Sequence, residues 1–331
     1  MSSERVGERR KALVTGAAGF IGSNLCRRLA EQGWDVVGVD NLNHYYDVRL
    51  KEARVDRLSK LPNFTFIKAD ITDRKTMEGL FKNFRPEAVM NLAAQAGVRY
   101  SIENPYTYIT NNIDGFIVLL ECARHWPVKR FIYASSSSVY GSNRKVPFSE
   151  GDVTDTPVSL YAATKKSNEL MARAYRDLYG IPAVGLRFFT VYGPWGRPDM
   201  APMLFAKAIM EGTPIKVFNE GNLSRDFTYI DDIVEGVVRV MEDEHSELLH
   251  DLYNIGYGSP VALMDFINTL ENALGRKAAK EFLPMQKGDV FTTFADTTLL
   301  KNDYDYTPHT SLREGIKQFA DWYLSPENPL K

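Results

Sequence analysis

The chain has 331 residues, of which 44% are hydrophobic and 25% are charged, a composition typical of a globular protein with one large domain or two fused domains. The 40 Lys and Arg residues against 42 Asp and Glu residues give a net charge of −2, which argues against a protein that binds nucleic acid or an anionic membrane. No apolar run approaches the roughly 20 residues of a membrane span, and the N-terminus lacks the apolar core of a signal peptide. Because the two cysteines, Cys26 and Cys122, both lie in apolar helical segments, we expect free thiols and a cytoplasmic protein.

In the first half of the chain, short apolar runs alternate with segments of helical periodicity. The runs predict strands at residues 12–15, 35–39, 64–69, 88–92, 130–134 and 183–188. The periodic segments predict helices at residues 21–31, 113–124 and 168–179. Buried strands that alternate with helices form a parallel sheet with helices on both faces. After about residue 190 the pattern becomes irregular and richer in Pro and Gly.

The turn from the first strand into the first helix, residues 15–22, reads Thr-Gly-Ala-Ala-Gly-Phe-Ile-Gly. Gly16 permits a tight turn out of the strand, Gly19 lets a pyrophosphate approach the backbone, and Gly22 allows close packing of helix on strand. The helix N-terminus adds N–H groups and a partial positive charge that suit phosphate. The turn therefore predicts a dinucleotide site and, with the alternating elements, a doubly wound α/β sheet of the Rossmann type.

Two acidic residues end the next two predicted strands. Asp40 follows the glycine turn by about 20 residues, where a carboxylate bonds the ribose diol. A carboxylate at this place repels a 2′-phosphate, so it favours NAD over NADP. Asp70, followed by Ile71, ends the third strand, where it would meet the adenine; as an alternative, Asp70 caps the next helix.

Tyr161 and Lys165 stand four residues apart at the start of a helical stretch, so their side chains share one helix face. A tyrosine phenol has a pKa near 10. A close ammonium lowers that pKa, which suits proton exchange with a sugar hydroxyl near neutral pH. Upstream, the predicted fifth strand ends in four serines, residues 135–138, and a hydroxyl there can bond the same sugar oxygen. The combination with the glycine turn favours catalysis over a chance spacing or a simple serine turn.

These motifs, in this order, resemble those of the extended short-chain dehydrogenases/reductases, and together they cover essentially the whole chain. They are the glycine turn at residues 15–22, Asn-Leu-Ala-Ala at 91–94, Ser-Ser-Val-Tyr-Gly at 137–141, Tyr-x-x-x-Lys at 161–165 and Arg-Asp-Phe-Thr-Tyr-Ile-Asp-Asp at 225–232. Within that family the chain is most similar to UDP-glucuronate 4-epimerases. That similarity lies in residues 40–47, 95–101 and 187–200.

The resemblance implies bound NAD, a UDP-sugar substrate, no metal, and a homodimer built from the helices around residues 113–124 and 161–179. The implied catalytic residues are Ser136, Tyr161 and Lys165, with the serine open to a shift of one or two positions. The residues implied to contact NAD are Gly16, Gly19, Phe20, Ile21, Gly22, Asp40, Asn41, Asn43, Asp70, Ile71, Leu92, Ala93, Ala94, Asn111, Tyr161 and Lys165. The residues implied to contact the substrate are Gln95, Arg99, Ser136, Ser137, Ser138, Thr190, Arg197, Lys216, Val217, Phe218, Arg225 and Asp289.

The same resemblance implies two parts of the chain with different ligands. We expect an NAD-binding Rossmann domain at residues 1–190, with segments near 226–256 returning to it. We expect a smaller α/β lobe, which binds the nucleotide sugar, at residues 191–225 and 257–331. One stretch of this lobe departs from UDP-galactose 4-epimerases, which tend to carry an arginine just before a Gly-Asp pair. Gln286 occupies the arginine position, with Lys287 beside it, so the arginine that would bind the diphosphate is missing here. Many glucuronate epimerases share this glutamine.

The implied reaction converts UDP-glucuronate to UDP-galacturonate through a transient 4-keto sugar. The 4-keto uronate is a β-keto acid, which loses CO₂ when its carboxylate stands perpendicular to the carbonyl plane. Thr190 and Arg197 can hold the carboxylate away from that alignment. Arg99 is a second candidate for this task, and Arg187 could instead pair inside the sheet. The alternative for Arg197 is a surface position in a Pro- and Gly-rich loop.

Other functions on the same fold remain open at this point. A UDP-glucose 4-epimerase and a UDP-glucuronate decarboxylase are the nearest alternatives. A 4,6-dehydratase is disfavoured because such enzymes usually carry Asp-Glu before Val-Tyr-Gly, where this chain has Ser137 and Ser138. A nucleotide-sensing binding protein is disfavoured because Tyr161 and Lys165 are both present.

Overall fold

The computed structural model describes residues 9–243, 245, 248–285 and 291–331. Its strands are β1 (Lys11–Thr15), β2 (Asp35–Asp40), β3 (Phe64–Lys68), β4 (Ala88–Asn91), β5 (Arg130–Ser136), β6 (Ala183–Phe188), β7 (Thr190–Tyr192), β8 (Ile215–Phe218), β9 (Ser224–Tyr229), β10 (Leu252–Ile255), β11 (Pro260–Ala262) and β12 (Lys280–Leu283). Its helices are α1 (Phe20–Glu31), α2 (Val48–Leu58), α3 (Arg74–Phe84), α4 (Tyr100–Glu103), α5 (Pro105–Tyr108), α6 (Gly115–His125), α7 (Leu160–Tyr179), α8 (Ala201–Glu211), α9 (Ile230–Met241), α10 (Leu263–Leu274), α11 (Thr298–Tyr304) and α12 (Leu312–Leu324).

A seven-stranded sheet forms the centre of the fold, in the order β10-β6-β5-β4-β1-β2-β3. All of its neighbouring strands are parallel. The strand order reverses between β1 and β4, so their carboxyl ends diverge and leave a crevice there. This confirms the predicted doubly wound α/β fold, and it places the ends of β1, β2, β4 and β5 on one edge of the sheet.

Two hydrophobic clusters cover the two faces of the central sheet. Successive residues of a strand point to opposite faces, so Leu13 belongs to one cluster and Val14 to the other. The Leu13 cluster includes Phe81 of α3 and Phe116 of α6. The Val14 cluster takes in α1 and α9 and continues into the C-terminal lobe. The site at the strand ends therefore rests on a core that extends under both parts of the chain.

The lobe contains two small sheets. One is three-stranded, in the order β11-β9-β7, and the other pairs β12 with β8. The strand near Tyr253 returns to the edge of the central sheet as predicted, in the form of β10. The prediction that the segment near Phe227 also returns there is wrong. β7 follows β6 almost directly and takes β9 as its parallel neighbour, so β9 lies outside the central sheet.

The helix boundaries differ from the sequence-based ones at two places. Residues 109–114 form a π-helix before α6, where the prediction begins an ordinary helix at residue 113. α7 begins at Leu160, eight residues before the helix predicted from periodicity at 168–179 but next to Tyr161, where the Tyr-x-x-x-Lys motif predicts the start of a helical stretch. The Ser159 side chain caps this start by accepting a hydrogen bond from the N–H of Ala162. Tyr161 and Lys165 therefore lie in the first turns of one 20-residue helix. None of the helices in the described ranges combines the length and apolar character of a membrane-spanning segment.

Candidate active site

The glycine turn lies between β1 and α1, with its backbone packed too closely for side chains. Gly16 has a φ of +71°, and a Cβ there would lie 2.8 Å from the backbone of Leu92. A Cβ on Gly22 would lie 2.1 Å from the carbonyl oxygen of Gly16. No side chain caps α1 at Gly19, and Phe20, Ile21 and Gly22 form its first turn. The backbone N–H groups of that turn can therefore meet a phosphate, so this cradle fits a dinucleotide.

Asp40 ends β2 beside this turn and is buried. Its carboxylate accepts hydrogen bonds from the N–H of Ala18 at 3.2 Å and from the N–H of Leu42 at 2.9 Å. These bonds orient both oxygens, and each oxygen keeps a lone pair that can accept a ribose hydroxyl. The position and chemistry of Asp40 thus fit the adenosine ribose of NAD.

Asp70 lies one strand further along the same edge. It does not cap α3, because Asp73 does so, and the alternative of a cap at Asp70 is therefore wrong. The Asp70 carboxylate accepts hydrogen bonds from Asn41 at 2.7 Å and from the N–H of Thr72 at 2.9 Å. Burial raises the pKa of Asp70, but these hydrogen bonds outweigh burial and hold the pKa below its ordinary value. Asp70 is therefore an ionised acceptor that fixes Asn41 beside the cofactor turn.

The remaining residues implied to contact NAD lie at the same edge. Asn43 accepts a hydrogen bond from Lys51 at 2.8 Å, and Asn111, in the π-helix, donates to the carbonyl of Thr107 at 2.8 Å. Ile71 is buried in the Leu13 cluster. The residues that directly follow β4 are Leu92, Ala93, Ala94 and Gln95. Local hydrogen bonds therefore hold the side chains of Asn43 and Asn111 in place. The backbone after β4 lies separately at the crevice.

Ser136 and Tyr161 meet at the end of β5, where Lys165 also lies. Burial raises the pKa of Tyr161, whereas a hydrogen bond with Ser136 and the positive charge of Arg197 lower it. Lys165 is buried and donates to the carbonyl of Ala134 at 2.7 Å. Burial lowers the pKa of Lys165 to about 8. The net effect on Tyr161 is a raised pKa, opposite to the lowering that the Tyr-x-x-x-Lys spacing predicts, because burial outweighs the favourable groups in the protein alone.

The four serines after β5 have different partners. Ser135 is buried and donates to Glu169 at 2.7 Å. Ser136 is the serine that lowers the pKa of Tyr161 through a hydrogen bond, and it accepts a hydrogen bond from the N–H of Ser138 at 3.2 Å. Ser137 opens a 3-10 turn. This geometry favours Ser136 as the hydroxyl that shares an oxygen of the substrate with Tyr161.

Arg197 does not lie free in a surface loop. Its guanidinium pairs with Asp199 through Nε at 3.0 Å and Nη2 at 2.5 Å. Asp199 also accepts a hydrogen bond from Tyr45 at 3.1 Å. Within the described residues, Nη1 of Arg197 makes no hydrogen bond, so this corner of the fork is open to an anion. The positive charge of Arg197 also lowers the pKa of Tyr161, but it does so less than the Ser136 hydrogen bond.

Arg187 is buried and paired, as in the alternative that it pairs inside the sheet and does not bind the sugar carboxylate. It is 1% exposed and forms two hydrogen bonds to Glu169, at 2.8 and 2.9 Å. Its Nη1 donates to Tyr140 at 3.1 Å. A buried pair of this kind satisfies its own charges, so Arg187 is not a candidate for the sugar carboxylate.

The remaining substrate candidates lie along the lobe. The Arg99 guanidinium stands 5.6 Å from the centre of the Phe218 ring, which joins the loop after β4 to β8. In β8, Lys216 is exposed, whereas Val217 is fully buried and can offer a ligand only its backbone. Arg225 in β9 donates to the carbonyl of Phe291 at 3.2 Å, and Thr190 begins β7. Asp289, with Gln286 and Lys287, lies outside the described residues.

Sequence reasoning missed Asn112, which is buried and joins three elements. It accepts a hydrogen bond from the N–H of Gln95 at 2.7 Å and donates to Thr164 at 3.0 Å. Its carbonyl accepts from Asn168 at 2.6 Å. The pattern offers no signal for this residue, because its partners come from separate parts of the chain. Glu169 was also missed, although its position four residues after Lys165 was a usable signal.

Comparison with known proteins places this geometry in a family. The family model for the NAD dependent epimerase/dehydratase family matches residues 12–256. The chain is 51% identical to Protein CapI from Staphylococcus aureus, over 95% of this chain and 98% of that protein. It is 46% identical to a probable UDP-glucuronate 4-epimerase from Rhizobium meliloti, over 94% of this chain and 96% of that protein.

A solved structure is similar over the same range. It is the UDP-glucuronic acid 4-epimerase from Bacillus cereus in complex with UDP-glucuronic acid and NAD, at a TM-score of 0.89 and 37% identity. The match covers 94% of this chain and 98% of that one. The family match, the relatives and the glycine turn with its Tyr161 and Lys165 pair agree, and the chain belongs to the NAD dependent epimerase/dehydratase family.

Proposed function

We propose that this protein is an NAD-dependent UDP-glucuronate 4-epimerase, which interconverts UDP-glucuronate and UDP-galacturonate. The observation that carries the choice of a uronate is Arg197, whose Nη1 makes no hydrogen bond within the described residues and whose positive charge lowers the pKa of Tyr161. Asp199 occupies Nε and Nη2 of this guanidinium, and a sugar carboxylate can accept a charge-assisted bond from the remaining Nη1, whereas a neutral sugar offers it only hydroxyl oxygens. Support also comes from the relatives and the structural neighbour named for this reaction.

The residues proposed to hold NAD are those at the carboxyl edge of the sheet. The glycine turn receives the pyrophosphate, Asp40 receives the ribose, and the segment around Asp70 and Ile71 receives the adenine. The backbone after β4, with Asn111, follows the cofactor toward Tyr161 and Lys165. Bound there, NAD would supply reversible hydride exchange with C4 of the sugar.

Tyr161 and Ser136 manage the proton on the sugar O4. Tyr161 as phenolate takes the proton of the hydroxyl, and Ser136 donates a hydrogen bond to the same oxygen. Lys165 lies one helical turn further along α7, and its ammonium favours the phenolate. After the keto sugar turns over, Tyr161 returns the proton to O4 on the opposite configuration. The net result is inversion at C4 with no change in the redox state of the sugar.

Arg197 and Thr190 have a separate task, which is to prevent loss of CO₂. A bond from Nη1 of Arg197 to the sugar carboxylate, with a hydroxyl bond from Thr190, keeps the carboxylate near the plane of the C4 carbonyl. In that plane the bond between the sugar ring and the carboxylate carbon, which breaks in decarboxylation, does not overlap with the π system of the carbonyl. Decarboxylation is therefore suppressed while the ketone exists.

The rest of the substrate lies toward the lobe. We propose that Lys216, Val217 and Phe218 receive the uridine and that Arg225 meets the diphosphate, with Gln95, Arg99, Ser137 and Ser138 near the sugar. The proposed domain division assigns residues 1–190 to NAD and the lobe to the nucleotide sugar. We also propose a cytoplasmic homodimer. The two cysteines, which are both buried and free, support a reducing compartment.

A product assay by proton NMR tests the function. Purified protein is incubated with UDP-glucuronate and, in parallel, with UDP-glucose, without added NAD. We expect UDP-galacturonate from the first substrate, with no CO₂ released. UDP-xylose or a 4-keto pentose as the product would replace this proposal with a decarboxylase, and turnover of UDP-glucose alone would replace it with a neutral-sugar epimerase.

A further inference from the structure

One arginine outside the proposed chemistry joins the two halves of the site. Arg54 of α2 is fully buried. Its Nη1 donates to the carbonyl of Ala18 at 2.9 Å and to the hydroxyl of Tyr46 at 2.8 Å. Its Nη2 donates to the carbonyls of Trp195 at 2.5 Å and Gly196 at 3.2 Å. The guanidinium thus bonds the backbone of two segments that are more than 170 residues apart in sequence.

The first of these segments is the glycine turn. Arg54 holds the carbonyl of Ala18, and the Asp40 carboxylate holds the N–H of the same residue. Ala18 directly precedes Gly19, after which α1 begins. Both polar groups of one turn residue are therefore fixed by buried charged side chains, which sets the direction of the N–H groups that follow.

The second segment is the loop that carries Arg197. Trp195 has a φ of +64°, a left-handed conformation that is unfavourable for a bulky side chain. Such a conformation persists where surrounding contacts require it. Arg54 bonds the carbonyls of Trp195 and Gly196, the two residues directly before Arg197. The planar guanidinium, with several N–H donors in fixed directions, can bond the carbonyls of Ala18, Trp195 and Gly196 at once. A single lysine ammonium cannot reach all three in this arrangement.

We propose that Arg54 is a positioning residue that ties the cofactor turn to the Arg197 loop and thereby determines the preference for a sugar that carries a carboxylate. This inference rests on the proposed function, because it takes Arg197 as the partner of the uronate. Without the bonds from Arg54 to the carbonyls of Trp195 and Gly196, Trp195 relaxes from its left-handed conformation. Nη1 of Arg197 then moves away from the position in which it can bond the sugar carboxylate. The uridine and diphosphate contacts lie elsewhere and are unaffected.

Calorimetric titration tests this with NAD present in excess. Wild-type protein, Arg54→Met, Arg54→Lys and the control Arg49→Met are each titrated with UDP-glucuronate, UDP-glucose and UDP. Met keeps the length of the side chain without its donors, and Lys keeps the charge without the fork. Arg49 lies on the same helix but is exposed and pairs with Asp47. The binding stoichiometry reports the folded fraction, so partial misfolding does not affect the affinities.

In Arg54→Met we expect the affinity for UDP-glucuronate to fall about tenfold, while the affinities for UDP-glucose and UDP change less than about twofold. Arg54→Lys should show an intermediate loss, and Arg49→Met none. Equal losses for all three ligands, or an unchanged preference, would overturn the inference. If Arg54→Met gives no folded protein, an unchanged preference in Arg54→Lys overturns it equally.

The same titrations separate this inference from the proposed function. Wild-type protein that binds UDP-glucose as well as UDP-glucuronate contradicts the uronate function itself. Wild-type protein that prefers UDP-glucuronate, together with Arg54→Met that keeps the preference, contradicts only the role of Arg54. NAD content per chain, measured after denaturation of protein purified without added NAD, gives a second readout. Arg54→Met should retain less NAD than Arg49→Met, and equal retention would contradict the link to the glycine turn.

Discussion

At the scale of single residues, burial dominates the titration of the catalytic pair and moves its two members in opposite directions. It raises the pKa of the Tyr161 phenol and lowers the pKa of the Lys165 ammonium to about 8. Near neutral pH the tyrosine is therefore held in its neutral form. The Ser136 hydrogen bond and the Arg197 charge act against burial, so the supply of phenolate depends on two neighbours that we propose as contacts of the substrate.

Replacing Ser136 by Ala tests this dependence. The Ser136 bond lowers the pKa of Tyr161, so its loss raises that pKa, and the acid limb of the pH profile of kcat should move to higher pH. We expect kcat at neutral pH to fall about 10²-fold. Ser137→Ala is the matched control, and it should leave the limb in place. A fall in kcat with an unmoved limb would show that Ser136 bonds only the substrate.

Arg197→Met tests the carboxylate contact. The Michaelis constant for UDP-glucuronate should rise about 10- to 100-fold, because a charge-assisted bond is lost. The constant for UDP-glucose should change little, since that sugar has no carboxylate to bond. NMR of the uronate reaction should also reveal a pentose product, because the keto acid is no longer held in plane. Equal effects on both sugars, with no pentose, would exclude the assigned role.

The sequence predicts which site residues lie together most directly where their local spacing encodes it. The glycine turn and the Tyr161 and Lys165 pair lie within eight residues or fewer, and the structure brings each group together. The spacing of residues in the sequence does not show which of Arg187 and Arg197 is free to bind the sugar carboxylate. That choice depends on Glu169, which meets Arg187 through the packing of α7 on β6 and not through sequence proximity.

At the scale of elements, a buried polar network fixes α7 to the sheet. Glu169 accepts from Ser135 at the end of β5 and pairs with Arg187 of β6. Arg187 then bonds Tyr140, whose hydroxyl donates to Asn254 of β10 at 2.6 Å. The network therefore links the catalytic helix, the serine turn and the edge strand, and it keeps Tyr161 facing Ser136.

Glu169→Gln should break this network. The Arg187 charge would be left buried without its partner, so the free energy of unfolding should fall by about 3 kcal/mol. Urea denaturation at a fixed NAD concentration measures the change. Lys166→Met is the control, because Lys166 bonds the same carboxylate from a partly exposed position, and its loss should cost less than about 1 kcal/mol. Comparable losses in both variants would contradict a special role for the Arg187 pair.

Element types were predictable because the apolar runs of the central strands are continuous, and because glycine follows β1, aspartate ends β2 and serine ends β5. The boundaries failed where a tertiary contact decides them. Residues 109–114 widen into a π-helix while Asn112 is bonded to Gln95 and to α7, which no local pattern signals. β9 has an ordinary strand pattern, and only its pairing with β7 excludes it from the central sheet.

At the scale of the whole molecule, the described surface has an apolar stripe on α7, the helix that carries Tyr161, and on the neighbouring α5. Leu170, Ala174 and Leu178 are exposed and lie four residues apart on one face of α7. Tyr106 of the neighbouring α5 is 83% exposed, and Ile109 follows it at 42%. Large exposed apolar groups that cluster in this way mark an interaction surface. The α7 part of the stripe lies on one of the two helices through which the sequence resemblance implies a homodimer.

Leu170→Asp tests the proposed dimer. A carboxylate buried in an apolar contact without a partner is strongly unfavourable, so light scattering after gel filtration should show the mass of one chain where the wild-type protein shows two. Leu324→Asp, at the end of α12 and similarly exposed, should leave the mass unchanged. Since α7 also carries Tyr161, we expect the monomer to have lower activity than the dimer if the loss of the interface makes this helix less ordered. A Leu170→Asp protein of dimer mass would place the interface on another surface, and the α7 stripe would then be open to a different partner.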